Sequence, residues 1–151
     1  MSGGLASPWL TIRVQFVLAA FFVVAGCAKI LDPPGFAHEI HNFGIVPGPA
    51  VNAMALVLPW LEVVTGLALF FGIAKRSAAR VLGILLAIFV VALAINLARG
   101  KPVDCGCFGT SKVQRTDAER LNEMKLVILR DLGLLLLSAQ TLYASRREER
   151  V

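Results

Sequence analysis

Four stretches of this chain are too apolar to face water, and they leave little choice of fold. They cover residues 9–28, 49–74, 81–98 and 126–145. A helix of about 20 apolar residues crosses the roughly 30 Å hydrocarbon core of a bilayer. Backbone groups inside lipid must satisfy their own hydrogen bonds, so each span is expected to be helical. The expectation is an all-α protein, a four-helix transmembrane bundle forming one membrane domain over residues 1–151. Composition agrees: 57% of residues are hydrophobic and 17% charged, which does not suit an ordinary soluble domain. The net charge of +5 does not read as a nucleic-acid surface. The basic residues flank the apolar runs, and aromatics are not interleaved with them.

The first span holds Arg13 and Lys29 near its two ends, where long side chains can snorkel. Val14 to Ala25 would also serve as a signal-peptide core, and Val24-Ala25-Gly26-Cys27 resembles a lipobox with Cys27 as the acylated residue. Against both, Lys29 and Asp32-Pro33-Pro34 read as the exit of a span, because proline lacks an amide hydrogen and restricts its predecessor. Phe36, Ile40 and Phe43 then recur at helical spacing, as in a short helix on the bilayer surface. His38 and His41 share a face of that segment.

Glu62 is the one charge of the second span. A carboxylate at that depth costs several kcal/mol unless it faces the bundle interior and is paired or protonated. Its expected partners are Lys29 and Arg130. Pro59, one turn earlier, should bend the helix. In the third span Asn96 is the one strongly polar residue, and Gly83 with Ala87 forms a small-residue pair suited to close helix approach. Thr116 and Glu119 form a capping box that predicts a helix starting at Asp117. Arg130 and Asp131 interrupt the fourth apolar run, so they must lie inside the bundle or near its surface.

Between the third and fourth spans, residues 99–115 carry Val103-Asp104-Cys105-Gly106-Cys107-Phe108-Gly109. Gly106 removes the Cβ that would hinder a tight reversal. A disulfide across one residue is strained, and strained exposed disulfides are the labile or catalytic ones. Cys105 and Cys107 are therefore candidate redox residues, with Lys29, Glu62, Arg130 and Asp131 in support. Three readings stay open: a cycling dithiol, an inert or structural pair, and half of a tetrahedral metal site completed by His38 and His41. Cys27, the third cysteine, is a resolving thiol or a small apolar filler. The chain holds no phosphate-binding glycine loop and no Ser/His/Asp nucleophile signature.

Four spans place both termini on one side. Positive charge does not choose that side, since each carries seven Lys and Arg residues. The compact basic turn Lys75-Arg76 favours cytoplasmic termini, and a redox loop is more useful on the oxidising side.

Several of these stretches together resemble a known family. Gly26-x-x-Lys29, Asp32-Pro33 with Phe36, and Gly44-Ile45-Val46-Pro47 resemble the first span and loop of DoxX-like membrane proteins. Pro59-Trp60-Leu61-Glu62, with Gly66 and Leu67, resembles their second span. Cys105-Gly106-Cys107-Phe108-Gly109 and Arg130-Asp131 before a leucine run resemble the branch of the methylamine-utilisation protein MauE. The family commonly carries asparagine after the arginine, and Asp131 departs from that. The resemblance implies a multi-pass protein of the bacterial inner membrane tied to periplasmic thiol–disulfide chemistry. In the family this means maturation of the disulfide-rich small subunit of methylamine dehydrogenase. Expected partners are the lipid bilayer and a periplasmic disulfide-containing client or thioredoxin-like protein, with no nucleic acid. A membrane quinone is one electron acceptor the bilayer offers, although no motif marks a pocket for it. The competing class is a non-enzymatic membrane chaperone or transport component with a structural disulfide.

Overall fold

The computed structural model describes residues 8–103 and 116–148. Among them are five helices and no strands: α1 Pro8–Leu31, α2 Pro33–Phe43, α3 Gly48–Phe70, α4 Lys75–Ala98 and α5 Asp117–Glu148. All but α2 are long and apolar enough to cross a membrane. The protein is a four-helix transmembrane bundle with a short fifth helix across one end.

Two helix boundaries differ from the sequence expectation. α1 runs on to Leu31, so Lys29 sits in its last turn rather than beyond its exit. α3 stops at Phe70, and the basic cluster Lys75, Arg76 and Arg80 forms the opening turns of α4. As the capping box predicts, α5 starts at Asp117, and it continues through Arg130 and Asp131. Hydropathy marks where a helix is apolar, whereas hydrogen bonding and caps decide where it ends.

Local chemistry explains the ends. Asp32 caps α2 by accepting from the Gly35 amide at 3.1 Å, and Pro33 and Pro34 occupy positions where a missing N–H costs nothing. Gly44 closes α2 in the left-handed region at φ 63°, its amide bonded to the His41 carbonyl. The predicted capping box of α5 is present in both directions. The Thr116 amide donates to Glu119 Oε2 at 2.9 Å, and the Glu119 amide donates to Thr116 Oγ1 at 3.4 Å.

The bundle is apolar outside and partly polar inside. Trp60, Val64, Ile84, Ile88, Leu129 and Leu136 are all exposed on its flanks. Gln15, Lys29, Glu62, Asn96, Asp131 and Thr141 are buried. Lipid tolerates the first set, and only the bundle interior tolerates the second. The central core joins Leu18 and Phe22 of α1, Leu69 of α3, Leu82 and Leu86 of α4, and Leu134 of α5.

Glycine sets the closest approach in two places. A Cβ on Gly26 would lie 2.7 Å from Val63 Cγ2 and 2.9 Å from the Pro59 carbonyl oxygen. A Cβ on Gly66 would lie 3.2 Å from the Ala19 carbonyl oxygen. Backbones of α1 and α3 therefore meet where no side chain intervenes. Of the small-residue pair expected on α4, only Gly83 faces a neighbour, 3.2 Å from Ser138 Oγ by the same measure, while Ala87 is exposed.

The short helix α2 turns its apolar face onto the bundle. Phe36 and Ile40 pack on Val51 and Ala55 of α3. Phe43 packs with Leu93 of α4, Met124 of α5 and Val103. The buried Asn96 of α4 donates from Nδ2 to the Phe43 carbonyl at 3.2 Å, which occupies one of the carbonyls a helix end leaves unpaired. At the opposite end, the buried Gln15 amide donates to the Leu69 carbonyl near the close of α3.

Candidate functional site

Beneath α2 the four long helices enclose a cavity of about 220 Å³. Its walls are mainly aromatic and aliphatic, among them Phe22, Phe36, Phe43, Met54, Leu86 and Phe89. Five ionisable side chains reach the same wall: Lys29, Glu39, Glu62, Arg130 and Asp131.

Lys29 and Glu62 form the first pair. The Lys29 ammonium donates to both carboxylate oxygens of Glu62, each at 2.8 Å, with both side chains 8% exposed. The ammonium also lies 5.0 Å from the centroid of the Phe36 ring, an added attraction to the ring face. Gly26 makes this geometry available. Its missing side chain lets Glu62 come against α1 one turn below Lys29, within a lysine's reach. The pairing of Glu62 with Lys29 was legible from the cost of a lone intramembrane charge.

Arg130 does not join that pair. Its Nε and Nη2 donate to Oδ1 of the adjacent Asp131 at 2.9 Å and 2.8 Å. Its guanidinium lies 4.9 Å from the Phe21 ring centroid. The neighbouring carboxylate satisfies the arginine on its own helix, so no reach to Glu62 is needed. Asp131 is 1% exposed, and its second oxygen, Oδ2, has no hydrogen-bond partner.

Glu39 belongs to this region and was not singled out from the sequence, whereas Asn96 stood out there as the one strongly polar residue of its span. Glu39 is buried on α2 and lines the cavity. The signal was present: positions 36, 39, 40 and 43 follow the i, i+3, i+4, i+7 pattern of one helix face, and Glu39 falls among the apolar three. The partner of Asn96 is a backbone carbonyl, which sequence does not reveal.

The remaining candidates lie elsewhere. His38 and His41 share the outward, exposed face of α2. Cys27 is a free thiol exposed on α1, turned away from the cavity. Among the described residues no three His, Cys, Asp or Glu side chains gather as a metal site. Cys105 and Cys107 lie outside the described residues. The chain leaves α4 and re-enters α5 at the end that α2 covers, where Val103 is buried against Met124.

Chemically, the two ion pairs compensate the buried Lys29, Glu62 and Asp131, the last through the half-buried Arg130, within an apolar chamber. The family described as methylamine utilisation protein MauE matches residues 7–144 of the chain. Methylamine utilization protein MauE of Paracoccus denitrificans is 35% identical over 109 residues, covering 72% of this chain and 59% of the relative. The protein of the same name from Methylorubrum extorquens is 35% identical over 112 residues, covering 74% and 60%. That of Methylophilus methylotrophus is 31% identical over 101 residues, covering 66% and 53%. The matched stretch thus spans little more than half the length of these relatives. No solved structure matches the chain. With the match running from the start of α1 to the last turns of α5, this multi-pass membrane protein belongs to the MauE family.

Proposed function

We propose that the protein is a thiol–disulfide exchange protein of the bacterial inner membrane that supports maturation of a periplasmic disulfide-containing client. The observation that carries the reading is Cys105-Gly106-Cys107, a dithiol with a one-residue spacer in the α4–α5 connection. Membership of a family named for methylamine utilisation supports a client in that process. In the exchange, a client thiolate attacks one sulfur of the Cys105–Cys107 disulfide. A mixed disulfide forms and the second cysteine leaves as thiolate. A second client thiolate then attacks the client sulfur of the mixed disulfide. The client is left oxidised and the pair reduced by two electrons. Re-oxidation passes those electrons to an acceptor, a thioredoxin-like protein or a membrane quinone.

The bundle's part in this reading is to hold the loop at one membrane face and to anchor it through Val103 and the α5 cap. Strain across the short spacer favours the dithiol, which makes the pair an oxidant or isomerase of its client. A glutathione redox titration with mass-tag detection tests this. The expected potential is well above about −300 mV, the range of inert structural bridges. A lower value, or full client maturation by both Cys105→Ser and Cys107→Ser, overturns the reading.

A further inference from the structure

We infer that the cavity beneath α2 is a binding site for a quinol, a lipophilic aromatic ring bearing hydroxyl groups. Size is the first argument. A 150 Å³ apolar cavity takes a benzene ring, and this one, at about 220 Å³, has room for a ring with substituents. The walls are the second. Five of the chain's nine phenylalanines line it: Phe21, Phe22, Phe36, Phe43 and Phe89. Aromatic side chains offer a planar ring edge and face contacts that a saturated acyl chain does not need.

The third argument is Asp131. Its Oδ1 is held by Arg130, while Oδ2, on a residue 99% buried by its 1% exposure, accepts nothing. A buried carboxylate oxygen without a donor is costly, and a ligand O–H supplies the missing bond. A hydrocarbon chain has no donor to give. A free cation would meet Lys29 and Arg130 on the same wall, and no cluster of three ligating side chains gathers there among the described residues. A phosphate headgroup would meet Glu39, Glu62 and Asp131. A neutral ring with hydroxyls meets none of these objections. Entry is available from the hydrocarbon side, because Ile45 and Ile88 line the cavity and are 44% and 61% exposed on the outside of the bundle.

The site draws on no cysteine, so it stands or falls apart from the thiol reading. The full-length protein in detergent is titrated with decylubiquinol under argon, and separately with decylubiquinone, following the rise in unfolding temperature that a native-state ligand produces. The quinol should saturate at a lower concentration than the quinone, which cannot donate to Asp131 Oδ2. Asp131→Asn, which puts a donating N–H₂ where Oδ2 accepts, should raise the quinol midpoint about tenfold, the scale of one lost charge-assisted hydrogen bond, and should not raise the quinone midpoint, because that N–H₂ can donate to a quinone carbonyl. Ala92→Phe, which fills the cavity from α4, should abolish the response to both. Met54→Phe fills it from α3 if the first variant loses its helical circular dichroism. The Cys105→Ser/Cys107→Ser variant should bind as the parent does. A response that is unsaturable, or that survives both filling variants, means partition into the micelle and overturns the site. Binding that persists while the cysteine pair proves inert refutes the thiol reading alone. A cycling cysteine pair without saturable quinol binding refutes this inference alone.

Discussion

Removing the Glu62 carboxylate leaves the Lys29 ammonium buried under α2 without its ion-pair partner, against the Phe36 ring. Truncating one partner of a buried pair costs about 3–5 kcal/mol, most of it the stranded charge. Glu62→Gln and Lys29→Met should each lower the unfolding temperature in detergent. The double variant should lose less than the sum, because it strands no charge. Strict additivity in that cycle would mean the pair does not form. Arg130→Gln should behave differently from Lys29→Met when combined with Glu62→Gln. Arg130 is satisfied by Asp131, so a coupling to Glu62 comparable with that of Lys29 would contradict the observed pairing.

At the level of elements, α2 is held to the bundle by its apolar face and by the Asn96 bond to the Phe43 carbonyl. Interhelical side-chain bonds in membrane proteins average about 0.6 kcal/mol. Asn96→Leu should therefore leave the four long helices folded and loosen α2 alone. Hydrogen exchange is the readout: faster exchange confined to residues 33–44 is expected, and a global increase would show that Asn96 supports the whole bundle. The contact of α1 with α3 is less forgiving. Gly26→Ala drives a methyl into Val63 and into the Pro59 carbonyl, and the second cannot move aside without shifting α3. A loss of about 1–3 kcal/mol is expected. Gly48→Ala, with open space around its Cβ position, should cost a few tenths at most. Comparable losses at the two sites would argue against close backbone packing at Gly26.

Across the whole molecule, the chain crosses the bilayer an even number of times and places α2 and the α4–α5 connection at one end. The basic opening of α4 lies at the other, with Lys75, Arg76 and Arg80 in its first two turns. The proposed function puts the termini in the cytoplasm and the cysteine loop in the periplasm. Because Cys27 is a free, exposed thiol, the labelling experiment belongs in a Cys27→Ser background. An impermeant maleimide should then modify reduced Cys105 and Cys107 on cells whose outer membrane is permeabilised. Protection until the inner membrane is lysed would reverse the orientation.

What the sequence determined by itself is set by effects that are local or proportional to composition. Four apolar runs could satisfy their backbones in lipid only as helices, and the Thr116–Glu119 capping box places the start of α5 at Asp117. The cost of a lone charge in hydrocarbon was enough to demand a partner for Glu62 and to name Lys29 as one candidate. Tertiary structure alone chose between Lys29 and Arg130, because the choice turned on how closely α1 approaches α3 at Gly26. It also turned α2 from a surface helix into a roof, with Glu39 carried inward beside Phe36 and Ile40. The cavity itself has no sequence signature. Its walls come from five helices, and the unpaired Oδ2 of Asp131 is recognisable only once the neighbours of Asp131 are in place.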